Sequence, residues 1–198
     1  MNHKTGKIFI ITGPSGAGKG TLINMLLDEY KDFVIPDSYT TRPPRPNEGT
    51  VKKYHFVTDN EFMEAINQGK ILEYERGALN HWYGTDKQSI ENALDQKKIV
   101  VVEVEPRGAL NIKRIFNEKA ALIFIAPTSL EILRQRILSD KNRGTVSDAE
   151  IESRMKLAET ELQSQDKADY VVINEDNKLE ETYKKLVEII TSTLKRQG

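Results

Sequence analysis

Lys19 closes a run of closely spaced glycines, Gly13-Pro14-Ser15-Gly16-Ala17-Gly18-Lys19, and an ammonium group in that setting is suited to binding phosphate. Glycines let a backbone come close to an anion and turn through positive φ where a side chain would clash. Successive N–H groups of such a turn, with the positive end of a following helix, surround a polyphosphate, and the lysine reaches its outer phosphates. The neighbours agree. Ile8-Phe9-Ile10-Ile11 precedes the turn as an apolar strand, and Leu22, Ile23, Leu26, Leu27 and Tyr30 recur behind it at helical spacing. The order strand, glycine turn, helix separates a phosphate-binding loop from an ordinary Gly-rich connection, so a nucleoside triphosphate is expected here. Where such loops usually place a Ser or Thr hydroxyl for Mg²⁺, this chain has Gly20, and Thr21 follows one place later.

A second cluster suited to anions follows. Ser38-Tyr39-Thr40-Thr41-Arg42-Pro43-Pro44-Arg45 sets two guanidinium groups beside prolines that stiffen the chain. Guanidinium groups bind phosphate oxygens in bidentate fashion, and a rigid segment loses less entropy on binding. Tyr54 and Tyr83 add phenolic donors. Alone, the segment reads equally well as two solvated arginines in a polar loop. Beside a phosphate loop it reads as an acceptor site.

Over 198 residues, 29 Lys and Arg stand against 30 Asp and Glu, a formal net charge of −1. That balance excludes a broad electrostatic footprint for nucleic acid, so any anion site must come from local clustering. The absence of cysteine excludes a disulfide framework and thiolate chemistry. The apolar stretch near the start is too short for a secretory signal, and no run approaches membrane-spanning length. A cytoplasmic protein with one substantial core and small appended lobes is expected, with no nucleic-acid or membrane partner.

The elements that must position these residues follow from periodicity. Phe33-Val34-Ile35 reads as a second core strand. From 37 to 86 the character changes to prolines, polar residues and aromatics, with short strand patterns at 54–57 and 71–75. Between them Thr58-Asp59-Asn60-Glu61 forms a capping box for a helix with Phe62 and Ile66 inward, which Gly69 stops. A helix at about 87–96 precedes Ile99-Val100-Val101-Val102, apolar on both faces like a buried parallel strand. Ala121-Leu122-Ile123-Phe124-Ile125 is another strand, ending at Pro127, and Thr128 with Glu131 predicts a capped helix bearing Leu130, Leu133 and Ile137. The stretch 139–147 is polar and contains glycine, the pattern of a mobile segment. Ser147 with Glu150 caps a helix carrying Ile151, Met155, Ala158 and Leu162. Tyr170-Val171-Val172-Ile173 is the last strand, and a closing helix carries Leu179, Tyr183, Leu186, Ile190 and Leu194. Strands alternating with helices predict an α/β fold, three layers around a parallel sheet. The core comprises 1–36, 87–138 and 155–198, with an inserted mixed α+β lobe at 37–86 and a mobile lid at 139–154.

Several motifs in order resemble the guanylate kinase family through nearly the whole chain. They are Gly-Pro-Ser-Gly-Ala-Gly-Lys at 13–19, Ser38 with Thr40-Thr41-Arg42 and Arg45, Tyr54, Glu73, Trp82-Tyr83-Gly84-Thr85, Phe124-Ile125-Ala126-Pro127, Arg143-Gly144-Thr145 and Val172-Ile173-Asn174. The resemblance implies an ATP:GMP phosphotransferase with a P-loop core, Mg²⁺ accompanying ATP, and GMP or dGMP as acceptor. By it, Gly13, Pro14, Ser15, Gly16, Ala17, Gly18, Lys19, Gly20, Thr21 and Asn174 bind ATP. Arg42, Arg45, Tyr54 and Tyr83 grip the GMP phosphate, while Ser38, Glu73 and Thr85 read the base, with Glu105 also at GMP. Lys19, Arg136, Arg143 and Arg154 act on the transferring phosphoryl group. The chemistry is consistent: guanine presents N1–H and an exocyclic amine side by side, and a carboxylate such as Glu73 accepts both. Adenine has the opposite pattern and leaves that carboxylate desolvated and unmatched.

Where the family usually has Asp-x-Asp-x-Gln-Gly, this chain has Glu103-Val104-Glu105-Pro106-Arg107-Gly108. Glu103 is then the residue expected to meet Mg²⁺, through water. The longer acids open a second reading, a related kinase with altered acceptor specificity. A third is a non-catalytic guanylate-kinase-like binding module, against which the intact loop lysine argues.

Overall fold

The computed structural model describes residues 6–44, 53–77, 80–139 and 147–196. The first part of the core comprises β1 (Lys7–Thr12), α1 (Lys19–Glu29) and β2 (Phe33–Val34). An inserted portion follows, with β3 (Ser38–Thr40), β4 (Tyr54–Phe56), α2 (Asp59–Asn67), β5 (Ile71–Arg76) and β6 (Trp82–Asp86). The chain then continues through α3 (Lys87–Asp95), β7 (Ile99–Glu103), α4 (Pro106–Phe116), β8 (Ala120–Pro127), α5 (Leu130–Ser139), α6 (Asp148–Leu162), β9 (Tyr170–Asn174) and α7 (Leu179–Lys195).

A five-stranded parallel sheet in the order β2-β7-β1-β8-β9 forms the middle layer. Its strands are apolar on both faces because both faces are covered. Phe9 and Ile11 of β1 pack with Leu22 and Leu26 of α1 and Leu186 and Ile190 of α7. Ile8 and Ile10, pointing the other way, pack with Ile90 of α3 and Ala109 and Ile112 of α4. The expected three-layer α/β core is present. β1 is central, so its carboxyl end opens between β7 and β8, the place where parallel α/β sheets hold ligands.

The inserted portion builds a second, mixed sheet in the order β4-β3-β6-β5, with β3 parallel to β4 and antiparallel to β6. Phe62, Ala65 and Ile71 form its small core, with Tyr39 and Trp82 against it. The Thr58 capping box is present, its hydroxyl accepting from the Glu61 amide while the Glu61 carboxylate accepts from the Thr58 amide. Gly69 ends the helix at φ 68°. α5 and α6 pack on each other through Leu133, Ile137, Ile151, Met155 and Ala158.

Four local expectations differ. α4 occupies a stretch read without a helix, because Pro106 at its first turn and Gly108 resemble a loop while Ala109 and Ile112 face the sheet. β3 and β6 are strands where periodicity pointed only to β4 and β5. α5 is capped by Ser129, whose hydroxyl accepts from the Ile132 amide, rather than by Thr128 with Glu131. On α6 the buried position at the end of the inward stripe belongs to Glu161, while Leu162 is half-buried. The helix capped by Ser147 is present as expected, the serine hydroxyl accepting from the Glu150 amide. Lid residues 140–146, Arg143 among them, and Arg45 lie outside the described residues.

Candidate active site

The glycine turn joins β1 to α1 as expected. Gly13 and Gly18 take φ of 132° and 91°, and each is also hemmed in. A Cβ on Gly13 would stand 2.1 Å from the Ile125 carbonyl, and one on Gly18 would stand 2.3 Å from Asn174 Nδ2. Both positions therefore require glycine twice over. Gly20 is different: nothing lies within 4 Å of where its Cβ would be, so packing does not demand it. Lys19 is the first residue of α1, and its buried ammonium donates to the carbonyls of Gly13 (2.6 Å) and Pro14 (3.0 Å). Asn174, at the end of β9, donates from Nδ2 to the Ala17 carbonyl at 2.8 Å, fixing the turn from above.

The acceptor recess is built on the second sheet. Antiparallel pairing sets Ser38 opposite Thr85 and Thr40 opposite Tyr83, while parallel pairing sets Ser38 opposite Tyr54. The β5–β6 register shifts between Ile71 and Tyr74, and Glu73 sits in that bulge; bulges beside sites re-aim side chains in this way. Glu73 is buried and its Oε1 accepts from the Thr85 hydroxyl at 2.6 Å. Thr85 therefore orients Glu73, a use for its proton other than donation to a base carbonyl. A Cβ on Gly108 would stand 2.2 Å from Glu73 Oε2, so the first turn of α4 carries glycine where the carboxylate needs the space. Arg42 is buried, with its guanidinium 4.8 Å from the Tyr54 ring centroid and 5.3 Å from that of Phe56. Its Nη1 donates to the Pro43 carbonyl at 3.0 Å, and stacking on the rings holds the guanidinium flat.

Between loop and recess lies a group of carboxyls. Glu103 ends β7 beside Ile11 of β1, Glu105 precedes α4, Glu75 stands on β5, and Glu161 faces in from α6. Glu75 Oε2 accepts from the Gly108 amide at 3.3 Å. Burial raises the Glu75 carboxyl, and the charge of Glu105 adds to that, against the opposing Gly108 amide and Arg107. Burial pushes Glu161 up furthest, to about 10; a hydrogen bond to Glu105 and the charge of Glu105 add to this, and nearby Lys19 opposes it. Burial among other carboxyls thus favours the protonated form of Glu161. Glu105 Oε2 is buried and accepts no hydrogen bond from the described residues.

Arg136 on α5 and Arg154 on α6 reach the same space. Arg136 donates from Nη2 to the Asn174 carbonyl (2.9 Å) and from Nε to Asp176 Oδ1 (2.9 Å), which Nη2 also contacts. Arg154, 5 % exposed, pairs with Glu150 one turn back on α6.

A single cleft of about 960 Å³ unites these groups. Of the residues singled out in sequence, Ser15, Gly16, Gly18, Lys19, Gly20, Thr21 and Asn174 line it around the loop, and Ser38, Arg42, Tyr54, Glu73, Tyr83 and Thr85 line it at the recess. Glu103, Glu105, Arg136 and Arg154 line it between. Gly13, Pro14 and Ala17 belong to the loop but stand outside that lining. Sequence reading passed over Glu75, Glu161 and Asp176. Glu75 was visible as two residues on from Glu73 in one strand, and Glu161 as one heptad beyond Arg154 on one helix face. Among the described residues no group of three or more His, Cys, Asp or Glu is arranged to hold a metal, and no helix is long and apolar enough to cross a membrane.

A family model described as guanylate kinase matches residues 5–193. The chain is 38 % identical over 187 residues to a guanylate kinase of Thermotoga maritima, covering 94 % of this chain and 87 % of that protein. It is 39 % identical over 198 residues to a guanylate kinase of Oceanobacillus iheyensis, covering 100 % of this chain and 93 % of that one. The crystal structure of guanylate kinase from Anaplasma phagocytophilum superposes with a TM-score of 0.76 at 26 % identity, covering 97 % of this chain and 88 % of that structure.

Proposed function

The chain belongs to the guanylate kinase family, and on that premise we propose that it transfers the γ-phosphoryl group of ATP to GMP, giving ADP and GDP. The observation that supports this is the continuity of the cleft, with the phosphate loop at one end and the Ser38, Glu73, Thr85 recess at the other. An anionic phosphate oxygen of GMP attacks the γ-phosphorus in line, the bond to the β–γ bridging oxygen breaks, and ADP leaves. The nucleophile is already ionised, so the protein's work is positioning and charge compensation.

The loop amides hold the β-phosphate, and Lys19 exchanges its carbonyl partners for the β- and γ-phosphate oxygens. Arg136 and Arg154, with Arg143, compensate charge on the moving group. Arg42, Tyr54 and Tyr83, with Arg45, take the GMP phosphate. Glu73, oriented by Thr85, accepts from guanine N1–H and the exocyclic amine, Ser38 faces the base beside it, and Glu105 offers its open oxygen to the same nucleotide.

The donors present suit a hydrated Mg²⁺ held by nucleotide phosphates: Gly20 brings no hydroxyl, and Glu103 stands at the strand end where a carboxylate reaches through water. Charge on those phosphates would be offset by Mg²⁺ bound with the nucleotide, which Glu103 would meet through water. We place the activity in the cytoplasm, where both nucleotides are available.

Release of ADP with GMP, dGMP, AMP, UMP or CMP as sole acceptor tests the reading. GMP and dGMP are expected to be preferred. Preference for another nucleotide would overturn the acceptor assignment, and no ADP release with any of them would overturn the transferase reading.

A further inference from the structure

Asp176 lies in the short connection between β9 and α7, outside every motif that marks the family in this sequence, yet it lines the cleft. Its Oδ1 accepts from both Nε and Nη2 of Arg136, and Nη2 is gripped a second time by the Asn174 carbonyl at 2.9 Å. The third nitrogen, Nη1, is buried with no hydrogen-bond acceptor among the described residues. A buried N–H group left unmatched is costly, and a charged one more so, which points to an acceptor that arrives with a ligand. Two fixed nitrogens and one open one define a direction, because a guanidinium is planar and rigid.

We propose that Asp176 is a positioning residue for phosphoryl transfer, clamping one edge of Arg136 so that Nη1 is presented to the oxygens of the transferring phosphoryl group. The clamp also ties α5 to the strand end that carries Asn174, whose side chain holds the phosphate loop. The arginine and the loop therefore share one support. This role rests on the transferase reading above.

The test is a double-mutant cycle of Asp176→Ala and Arg136→Ala in the full chain, with steady-state kinetics for ATP and GMP and thermal unfolding of each protein. Misplacing a charge-compensating group by about 1 Å costs on the order of a hundredfold, so Asp176→Ala is expected to lower kcat about 10- to 100-fold. The KM for GMP should stay within about twofold, because the acceptor recess is not part of the clamp. In the Arg136→Ala background the same substitution should have almost no further effect. Asp176→Asn, which keeps the accepting oxygen, should recover much of the loss. Unchanged or raised turnover in Asp176→Ala would mean the pair is a clasp that must open, and would overturn the proposal, as would full additivity in the cycle. A wild type inactive with every acceptor overturns the transferase reading and this role with it. An active wild type with an unaffected Asp176→Ala variant overturns this role alone.

Discussion

On the proposed function the phosphate loop and the acceptor recess both face anions, and they are made of different material. At the loop the groups on offer are mostly backbone amides between residues 13 and 19, close under the Ile125 carbonyl, tied by Asn174 and turned by two glycines with no room for a Cβ. At the recess they are side chains, Ser38, Arg42, Tyr54, Glu73, Tyr83 and Thr85, mounted on strands of a separate sheet with its own small core. A backbone site is all or nothing, since altering it alters the path of the chain. A side-chain site can be retuned residue by residue while the fold stands. Donor binding should therefore be rigid in kind, and acceptor choice should be adjustable.

The strongest test of the loop is Lys19→Ala, which removes the cation placed on charge that grows in the transition state. Turnover should fall by about a hundredfold to a thousandfold with every acceptor alike, as for loss of one preorganised electrostatic group. A loss confined to GMP would break the division between the two regions. The recess is tested by Glu73→Gln in a mixture of GMP and AMP. The amide places an N–H against a guanine donor, so about 2–4 kcal/mol of discrimination should disappear while ATP kinetics hold. An undiminished preference would remove Glu73 from base reading.

Gly108→Ala sharpens the comparison further, because it touches neither substrate. The new methyl claims the space of Glu73 Oε2, which is the end of a flexible side chain and can swing away. The KM for GMP should rise about tenfold, the value of one displaced hydrogen bond, with little change for ATP. Thermal stability should hold or rise, since Ala favours a helix over Gly by about 1 kcal/mol. Loss of stability with unchanged GMP kinetics would contradict the account.

The smallest effect on turnover is expected from Glu161→Gln, whose readout is stability. The folded protein keeps this proton up to about pH 10, whereas an unfolded chain releases it near the ordinary glutamate value of 4.5. Folded Glu161 thus binds more protons, and its contribution to stability is full below about pH 4.5 and lost as pH rises toward 10. Glutamine cannot ionise, so the variant's melting temperature should gain on wild type between pH 5 and pH 9. Each pH unit over which only the folded state keeps the proton is worth at most about 1.4 kcal/mol, which is several °C in a chain of this size. A gap that narrows with pH would mean Glu161 is ionised.

The asymmetry between the regions also governed what could be read in the sequence. The loop was legible because glycine spacing, a terminal lysine and flanking elements are local. The strands of the core were legible because runs such as Ile99-Val100-Val101-Val102 are buried on both faces. β3 and β6 were not, since Ser38, Tyr83 and Thr85 are polar and aromatic residues that turn toward a cleft rather than a core. α4 was hidden for a related reason, as its first turn is shaped by room for Glu73 and not by helix propensity. Glu161 was missed because it occupies an inward position where periodicity leads one to expect an apolar side chain. The misread elements therefore lie mostly around the acceptor side of the cleft, where side chains answer to a ligand. Ser129 against Thr128 is a smaller matter of adjacent residues with equivalent hydroxyls.

Asn174 belongs to the last strand of the sheet, and its hydrogen bond to Ala17 bridges 157 positions of sequence. During synthesis the glycine turn leaves the ribosome early, long before that amide exists. The turn's lock arrives only when β9 has been made and has joined the sheet beside β8. Contacts of such long sequence separation form late in folding because the loop they close costs entropy first. A nascent chain that stops short of residue 170 carries the turn without its clamp. Nucleotide capture is accordingly one of the final acts in the birth of this chain, although the motif responsible is among the first parts of it to be made.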